Sequence, residues 1–206
     1  MTTKLYDVIL FDLGGVLIEL AGVDTMLAWS PGADGHEGLW RRWLASPSVR
    51  RYESGGSSRD EFAADMVREF ALPVPPTAFL SAFEVWPRAV FPGAAELLAD
   101  LRTQHRLASV SNTNELHWER FVDHFGIDRH FDANFPSYQV GRLKPDADYF
   151  EHVLATLGVA PGRTLFLDDN AVNVEGAAAL GIHAVRVTGV DGARAALTEL
   201  GVVGPR

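Results

Sequence analysis

The sequence predicts an α/β fold in which helices cover both faces of a parallel sheet. Short apolar runs rich in strand-forming residues recur along the chain, and segments whose apolar residues have helical spacing lie between them. Strands that alternate with helices favour a parallel sheet, because the chain must cross over between neighbouring parallel strands. One long stretch, residues 18–88, breaks this alternation and predicts an α-helical insertion.

Four apolar runs are predicted strands. Each run is too short to form a helix of normal length and is rich in residues that favour strands. The runs cover residues 5–11 (LYDVILF), 106–110 (RLASV), 164–167 (TLFL) and 183–187 (HAVRV). Continuous apolar character of this kind is typical of strands that are buried on both faces of a sheet.

Helices are predicted between these strands. The apolar residues of 150–157 have helical spacing behind Pro145, and Gly158 follows as a stop signal. Similar patterns predict helices over residues 94–101 and 171–180.

The insertion at residues 18–88 contains helical patterns and no run that resembles a strand. Ser58 and Glu61 have the spacing of a capping box and predict the start of one of its helices. Trp40 and Trp43 could line the inner face of the insertion or pack in its core. Core packing is favoured, because tryptophan side chains are highly buried on average.

Length and composition restrict the function. The 206 residues fit one compact unit, or a core with a modest insertion. A net charge of -9 opposes binding to nucleic acid or anionic lipid, and the absence of cysteine excludes disulfides, thiolate metal sites and a cysteine nucleophile. The N-terminal segment lacks the features of a secretory signal and no stretch is apolar enough to span a membrane, so a cytoplasmic protein is expected.

Carboxylates follow two of the predicted strands. Asp12 ends the first and precedes Gly14 and Gly15, and Asp168 and Asp169 end the third. Ligand sites in open parallel sheets form at the carboxyl ends of strands, so Asp12 could be a nucleophile, a metal ligand or simply a turn residue. Adjacent carboxylates need a cation or a proton, and hard oxygen ligands without cysteine or a nearby histidine indicate Mg²⁺. Capping of the next helix by Asp169 or the neighbouring asparagine is the alternative.

Two further segments could bind a phosphate. Ser111 and Asn112 end the second strand, where a hydroxyl, an amide and backbone N–H groups can hold an anion, although Thr113 or Asn114 is expected to cap the next helix. Whether the nearby His117 contacts the insertion or solvent is left open.

Lys144 precedes Pro145 at the entry to another predicted helix. Its ammonium could offset the acidic pair and hold a phosphate oxygen. A lone lysine is more often a surface residue, so this assignment depends on the other three segments.

Together these four segments, FDLGGVL, SNT, KP and FLDDNAVN, resemble the motifs of the haloacid dehalogenase superfamily, whose members are mostly phosphatases. The resemblance covers nearly the whole chain. It implies a Rossmann-like core from residues 1–17 and 89–206 and an α-helical cap of the first type (C1) from residues 18–88. Within the superfamily, the chain is similar to a bacterial subgroup that includes α-D-glucose-1-phosphate phosphatase.

The resemblance implies a Mg²⁺-dependent phosphatase in which Asp12 attacks phosphorus and forms an aspartyl-phosphate. It also implies that the Asp12 carboxylate, the Gly14 carbonyl and Asp169 bind Mg²⁺, with Asp168 orienting a water on the metal. The substrate would be a small phosphorylated metabolite, with no nucleic acid or membrane partner.

The resemblance assigns the transferring phosphate to a second set of groups. They are the side chains of Lys144, Ser111 and Asn112 and the backbone amides beside Gly15.

One position departs from the pattern of the superfamily. Most of its phosphatases have a second aspartate two residues after the nucleophile, which serves as the acid and base, whereas this chain has Gly14. The loss favours a substrate with an easily departing leaving group, such as a sugar 1-phosphate. Alternatively, the insertion supplies the acid, and Glu53 and His36 are the candidates.

Two other functions remain open at this stage. A dehalogenase of the same superfamily would use Asp12 but no metal, so the acidic pair favours phosphate chemistry. A ligand-binding or regulatory protein could retain the fold and the metal while Gly14 ends fast turnover. Phosphate release that depends on Asp12 separates the phosphatase from both alternatives.

Overall fold

The computed structural model describes residues 5–29 and 35–204, and it has the predicted α/β architecture. Its strands are β1 (Val8–Phe11), β2 (Ile18–Leu20), β3 (Pro87–Val90), β4 (Arg106–Ser111), β5 (Ala133–Pro136), β6 (Thr164–Asp168) and β7 (His183–Arg186). Five of them form one parallel sheet in the order β5-β4-β1-β6-β7. The four predicted strands are confirmed as β1, β4, β6 and β7.

Strand β1 lies at the centre of this sheet and is buried on both faces. Ile9 and Phe11 belong to the core on one face, whereas Val8 and Leu10 belong to the core on the other. Successive side chains of a strand point to opposite faces, so four consecutive apolar residues require cover on both. This burial explains the uninterrupted apolar sequence of β1.

Some of the helices supply that cover. The helices of the described residues are α1 (Gly22–Trp29), α2 (Gly35–Ala45), α3 (Pro47–Glu53), α4 (Arg59–Glu69), α5 (Pro76–Glu84), α6 (Ala94–Arg102), α7 (Glu115–Asp123), α8 (Ser137–Val140), α9 (Ala147–Leu157), α10 (Ala171–Ala179) and α11 (Gly189–Glu199). Helices α6, α7 and α11 pack on the face of Ile9, and α9 and α10 pack on the face of Val8. The predictions of α6, α9 and α10 are confirmed, and α9 ends at Gly158 in the left-handed conformation.

Helices α1 to α5 form the insertion, which has its own apolar core. Trp43, Phe62 and Phe83 lie in this core and contact one another through their rings. The predicted capping box at Ser58 and Glu61 begins α4, with both reciprocal hydrogen bonds present. The aromatic content of the insertion therefore stabilises its helices against one another.

The prediction that residues 18–88 contain no strand is wrong at both ends of the insertion. β2 begins at Ile18, β3 begins at Pro87, and the two pair antiparallel. Both are too short to show a strand pattern, and β3 contains a proline and an arginine. The division into residues 1–17 with 89–206 and residues 18–88 stays a prediction.

None of the helices in the described ranges combines the length and the apolar character needed to cross a membrane.

Candidate active site

The candidate site lies at the carboxyl edge of the central sheet, where three neighbouring strands end in polar residues. Asp12 follows β1, Ser111 ends β4 and Asp168 ends β6. The Asp12 amide donates to the carbonyl of Leu167 at 2.9 Å, which continues the pairing between β1 and β6 and fixes the start of the turn. The parallel register thus brings together three side chains that lie far apart in the sequence.

Lys144 is the buried cation of this site, with only 2% of its surface exposed. Its ammonium lies 2.9 Å from Asp12 Oδ1 and donates to Asp168 Oδ2 at 2.7 Å and to the carbonyl of Val110 at 2.8 Å. Burial by itself lowers the pKa of Lys144, but the carboxylates of Asp12 and Asp168 outweigh it and the pKa is raised. Lys144 therefore remains charged, and it is not the surface lysine that the sequence left open.

Asn112 holds Lys144 in place through its backbone. The Asn112 Nδ2 group donates to the Lys144 carbonyl, and the Lys144 amide donates to Asn112 Oδ1, both at 2.9 Å. These two bonds give Asn112 a positioning role for Lys144. The second N–H of its Nδ2 group is not used in them, so the predicted contact of Asn112 with phosphate stays a prediction.

The two adjacent aspartates have different surroundings. Asp168 is fully buried and accepts hydrogen bonds from the amide of Asn170, from the side chain of Asn173 and from Lys144. Asp169 lines the cavity described below, and a Cβ atom on Gly15 would lie only 2.2 Å from its Oδ2. The side chain of Asn170, not that of Asp169, caps α10. Hydrogen bonds within the protein thus fix the orientation of Asp168, while Asp169 faces the cavity.

Gly15 has a role in the turn that the sequence did not predict. Its φ angle is +72° and its amide donates to the carbonyl of Ile18 at 2.8 Å. That amide is therefore engaged within the turn, and the contact of the backbone amides beside Gly15 with phosphate stays a prediction. Glycine is required here because a side chain would collide with Asp169 and would be strained at this φ.

The three aspartates fit a hard divalent cation. One carboxylate oxygen from each of Asp12, Asp168 and Asp169 lies within 4.8 Å of the other two. Burial and the neighbouring carboxylates raise the pKa of Asp12 to about 8 and that of Asp169 to about 6, although Lys144 opposes both shifts. Because burial and the clustered carboxylates both disfavour the ionised forms, a divalent cation would stabilise them, and an all-oxygen donor set suits Mg²⁺.

Glu53 reaches the site from the insertion. It is the last residue of α3 and lines the same cavity as Asp12. The hydroxyl of Ser137 accepts from the amide of Thr113 and donates to the Glu53 carbonyl at 2.6 Å, which ties the end of α3 to the loop after β4. No sequence pattern indicates Ser137, because this link exists only in the folded structure.

Burial raises the pKa of Glu53 to about 7, even though Lys144 and Arg50 face it and lower the pKa. A carboxyl with a pKa near neutrality can both donate and accept a proton at physiological pH. The other candidate, His36, has a side chain outside the described part of the structure.

A cavity of about 200 Å³ opens above these residues. Trp43 is buried in the insertion core and also lines the cavity, whereas Trp40 is partly exposed there.

His117 stacks on Phe83, and its Nε2 lies 2.7 Å from the Phe83 carbonyl. Burial lowers the pKa of His117 to about 4, so a neutral histidine connects α7 to the insertion. The expected cap at Asn114 is confirmed.

Comparison with protein families matches residues 6–181 to haloacid dehalogenase-like hydrolases. Phosphoglycolate phosphatase from Pseudomonas putida is 30% identical over 87% of this chain and 68% of its own length. Tyrosine-protein kinase PtkA from Mycobacterium tuberculosis is 38% identical over 48% of this chain, and that match spans about a third (34%) of its length.

A similar fold is found in the crystal structure of the HAD family enzyme Bt-2542 from Bacteroides thetaiotaomicron in complex with magnesium and inorganic phosphate. The TM-score is 0.71 at 23% sequence identity, and the match covers 89% of this chain and 94% of that one. This likeness is one of fold.

Proposed function

This chain belongs to the haloacid dehalogenase-like hydrolase family, and from that premise we propose that it is a Mg²⁺-dependent phosphatase acting on a small phosphorylated metabolite. The observation that carries the proposal is the cluster of Asp12, Asp168 and Asp169 around the ammonium of Lys144. Such a cluster offers a nucleophile and oxygen ligands for a metal, which phosphoryl transfer requires. The similarity to a phosphoglycolate phosphatase supports the same reaction class.

The metal would be held by Asp12, by Asp169 and by the backbone carbonyl of Gly14. Asp168 would orient a water on the metal. When bound there, Mg²⁺ offsets the negative charge of the phosphoryl oxygens. Lys144 contributes a second positive charge at the same place, since its ammonium is fixed between Asp12 and Asp168. Ser111 lines the cavity beside them and would donate its hydroxyl to a phosphoryl oxygen.

The first chemical step transfers the phosphoryl group to the protein. A carboxylate oxygen of Asp12 forms a bond to phosphorus while the bond from phosphorus to the alcohol oxygen breaks. Glu53 donates its proton to that departing oxygen. A water molecule then attacks the aspartyl-phosphate, Glu53 accepts the proton of this water, and inorganic phosphate leaves with Asp12 restored.

Glu53 is the acid of this proposal because Gly14 provides no side chain. Its position in the cavity and its pKa of about 7 suit the task. Lys144 and Arg50 face it, so the carboxylate formed after proton donation is stabilised by neighbouring cations.

Substitution of Glu53 by Gln is expected to lower kcat/KM about 10²-fold or more for an alkyl phosphate, whose leaving group needs a proton. The loss of kcat/KM with 4-nitrophenyl phosphate should be small, since nitrophenolate departs without a proton and kcat/KM does not include the later attack of water on the aspartyl-phosphate. In the free wild type, protonated Glu53 is the active form, so kcat/KM for the alkyl phosphate should decline as the pH rises through about 7, and the variant should lack this decline. Parallel pH–rate profiles measure both effects.

Glu84→Gln is the matched control, because Glu84 lies exposed on α5 of the same insertion and away from the cavity. Equal losses with the two substrates, or the same decline in both pH profiles, would contradict the assignment of Glu53.

Asp169→Asn should weaken Mg²⁺ binding by about tenfold or more, because it removes a charged oxygen ligand from the cluster. The melting temperature of the wild type should rise with MgCl₂ concentration, and the midpoint of that rise should move to higher concentration in the variant. Asp123→Asn, at an exposed carboxylate on α7, serves as the control. An unchanged midpoint would count against Asp169 as a ligand.

The finer prediction of a sugar 1-phosphate assumes that no side chain replaces the acid missing at Gly14, and it is the alternative to Glu53 as the acid. A panel that compares sugar 1-phosphates, sugar 6-phosphates and an aryl phosphate, with Mg²⁺ or EDTA, tests it. The acidic cluster supports phosphate chemistry over hydrolysis of a carbon–halogen bond, which needs no metal. A binding or regulatory protein would hold these ligands with Mg²⁺ and release no phosphate.

A further inference from the structure

The cavity above Asp12 is lined by both polar side chains and large exposed apolar ones. Among the described residues, six large hydrophobic side chains are exposed, and four of them line this cavity. The four are Leu20, Trp40, Leu44 and Val172, with exposed fractions of 44%, 36%, 41% and 54%. Exposed apolar side chains that gather around one cavity indicate a binding surface, whereas scattered ones do not.

These four side chains come from both parts of the protein. Leu20 ends β2 and Val172 lies at the start of α10, beside the acidic pair. Trp40 and Leu44 lie four residues apart on α2, so they share one face of that helix. The apolar surface thus borders the cavity both on the side of the sheet and on the side of the insertion.

Several polar side chains that line the cavity already make hydrogen bonds within the protein. Arg50 donates to Asp146 at 2.6 Å, and His117 is held by the carbonyl of Phe83. The Oδ1 atom of Asn170 accepts from the amide of Val172. A ligand hydroxyl that packs against the four apolar side chains has no partner in them, and each unpaired buried hydroxyl costs binding energy.

The apolar surface extends to the nucleophile. A Cβ atom on Gly14 would lie 2.7 Å from Leu20 Cδ1, so the side chain of Leu20 occupies the space next to the backbone of residue 14. The first atoms of the alcohol, which must lie close to Asp12, would therefore meet a hydrocarbon side chain.

We propose that the substrates of this chain, given the phosphatase function proposed above, are phosphomonoesters whose alcohol is a compact apolar group. The phosphate lies among Asp12, Lys144 and Ser111, and the alkyl or aryl group lies against Leu20, Leu44 and the indole of Trp40. The volume of about 200 Å³ favours a single ring or a short branched chain. This surface, rather than hydrogen bonds to hydroxyl groups, then determines specificity.

A matched pair of substrates tests the proposal. In both cyclohexylmethyl phosphate and glucose 6-phosphate the phosphate is bonded to a CH₂ group attached to a six-membered ring, but only glucose 6-phosphate has hydroxyl groups. With Mg²⁺ present, kcat/KM should be about 10- to 100-fold higher for cyclohexylmethyl phosphate. Equal values, or a preference for glucose 6-phosphate, would overturn the apolar assignment while hydrolysis of 4-nitrophenyl phosphate leaves the phosphatase function standing. Failure to release phosphate from all three would overturn the phosphatase function, and this inference with it.

Two leucine variants separate the apolar surface from general effects. Leu44→Ser should raise KM for cyclohexylmethyl phosphate by about five- to tenfold, because it removes apolar contact area at the cavity. Leu5→Ser changes a leucine that is 56% exposed and away from the cavity, and it should leave KM unchanged. Equal KM values in the two variants would contradict the role of Leu44.

Discussion

Replacing Asp12 with Asn is expected to reduce phosphate release by about 10⁴-fold or more, because an amide cannot act as the nucleophile that forms the aspartyl-phosphate. The fold should survive. Lys144 keeps its hydrogen bonds to Asp168 and to the Val110 carbonyl in this variant, so its ammonium is not left unpaired. The substitution also removes one of three crowded carboxylates, and burial already disfavours the ionised form of Asp12.

The measurement is inorganic phosphate released by wild type and variant from the substrate panel, with Mg²⁺ and with EDTA. Circular dichroism and the melting temperature show whether the variant is folded, and without metal it should melt at the same temperature as the wild type or higher. Substantial activity in the variant would contradict Asp12 as nucleophile. A wild type that binds the substrates but releases no phosphate would instead favour the binding or regulatory function.

The strands that could be predicted from the sequence are those whose own residues form an apolar run. β1 and β6 each contain a run of buried apolar residues that leads directly to an aspartate, and burial on both faces explains that run. β5 was missed because its sequence, Ala-Asn-Phe-Pro, contains one large apolar residue, and its pairing with β4 compensates for the weak local preference. β2 and β3 were missed because each depends on the other.

Some residues of the candidate site could be predicted from the sequence and others could not. Asp12, Ser111, Asp168 and Asp169 could be placed from the sequence, because parallel strands bring their carboxyl ends to one edge. The orientation of Glu53 could not, since it depends on the hydrogen bond from Ser137 to its carbonyl. Two further contacts could not be predicted either, because they form only in the folded chain. They are the hydrogen bond from the Gly15 amide to the Ile18 carbonyl and the hydrogen bonds between Asn112 and the backbone of Lys144.

The ammonium of Lys144 leads to the largest expected loss of stability. Lys144→Met removes the only cation that lies between Asp12 and Asp168 among the described residues, and both carboxylates are buried. Removing one partner from a buried ion pair leaves an uncompensated charge, which costs about 3–5 kcal/mol of the free energy of unfolding. Methionine retains most of the volume of the side chain, so loss of packing contributes little.

Urea unfolding in EDTA measures this loss, and Arg142→Met is the control. Arg142 forms an ion pair with Asp148 in which both side chains are well exposed, so its removal should cost about 1 kcal/mol or less. Phosphate release by Lys144→Met should fall about 10²- to 10³-fold or more, because the phosphoryl oxygens lose a fixed positive charge.

A double variant separates the electrostatic effect from a general loss of structure. In the background of Asp12→Asn, one of the two carboxylates that face Lys144 is already neutral, so Lys144→Met should then cost less free energy of unfolding than it does in the wild type. The difference between the two costs is the coupling between Asp12 and Lys144, and we expect at least about 1 kcal/mol for residues in direct contact. Equal costs in the two backgrounds would show that Lys144 acts mainly through packing and its bond to Val110. A cost similar to that of Arg142→Met would contradict the buried ion pair itself.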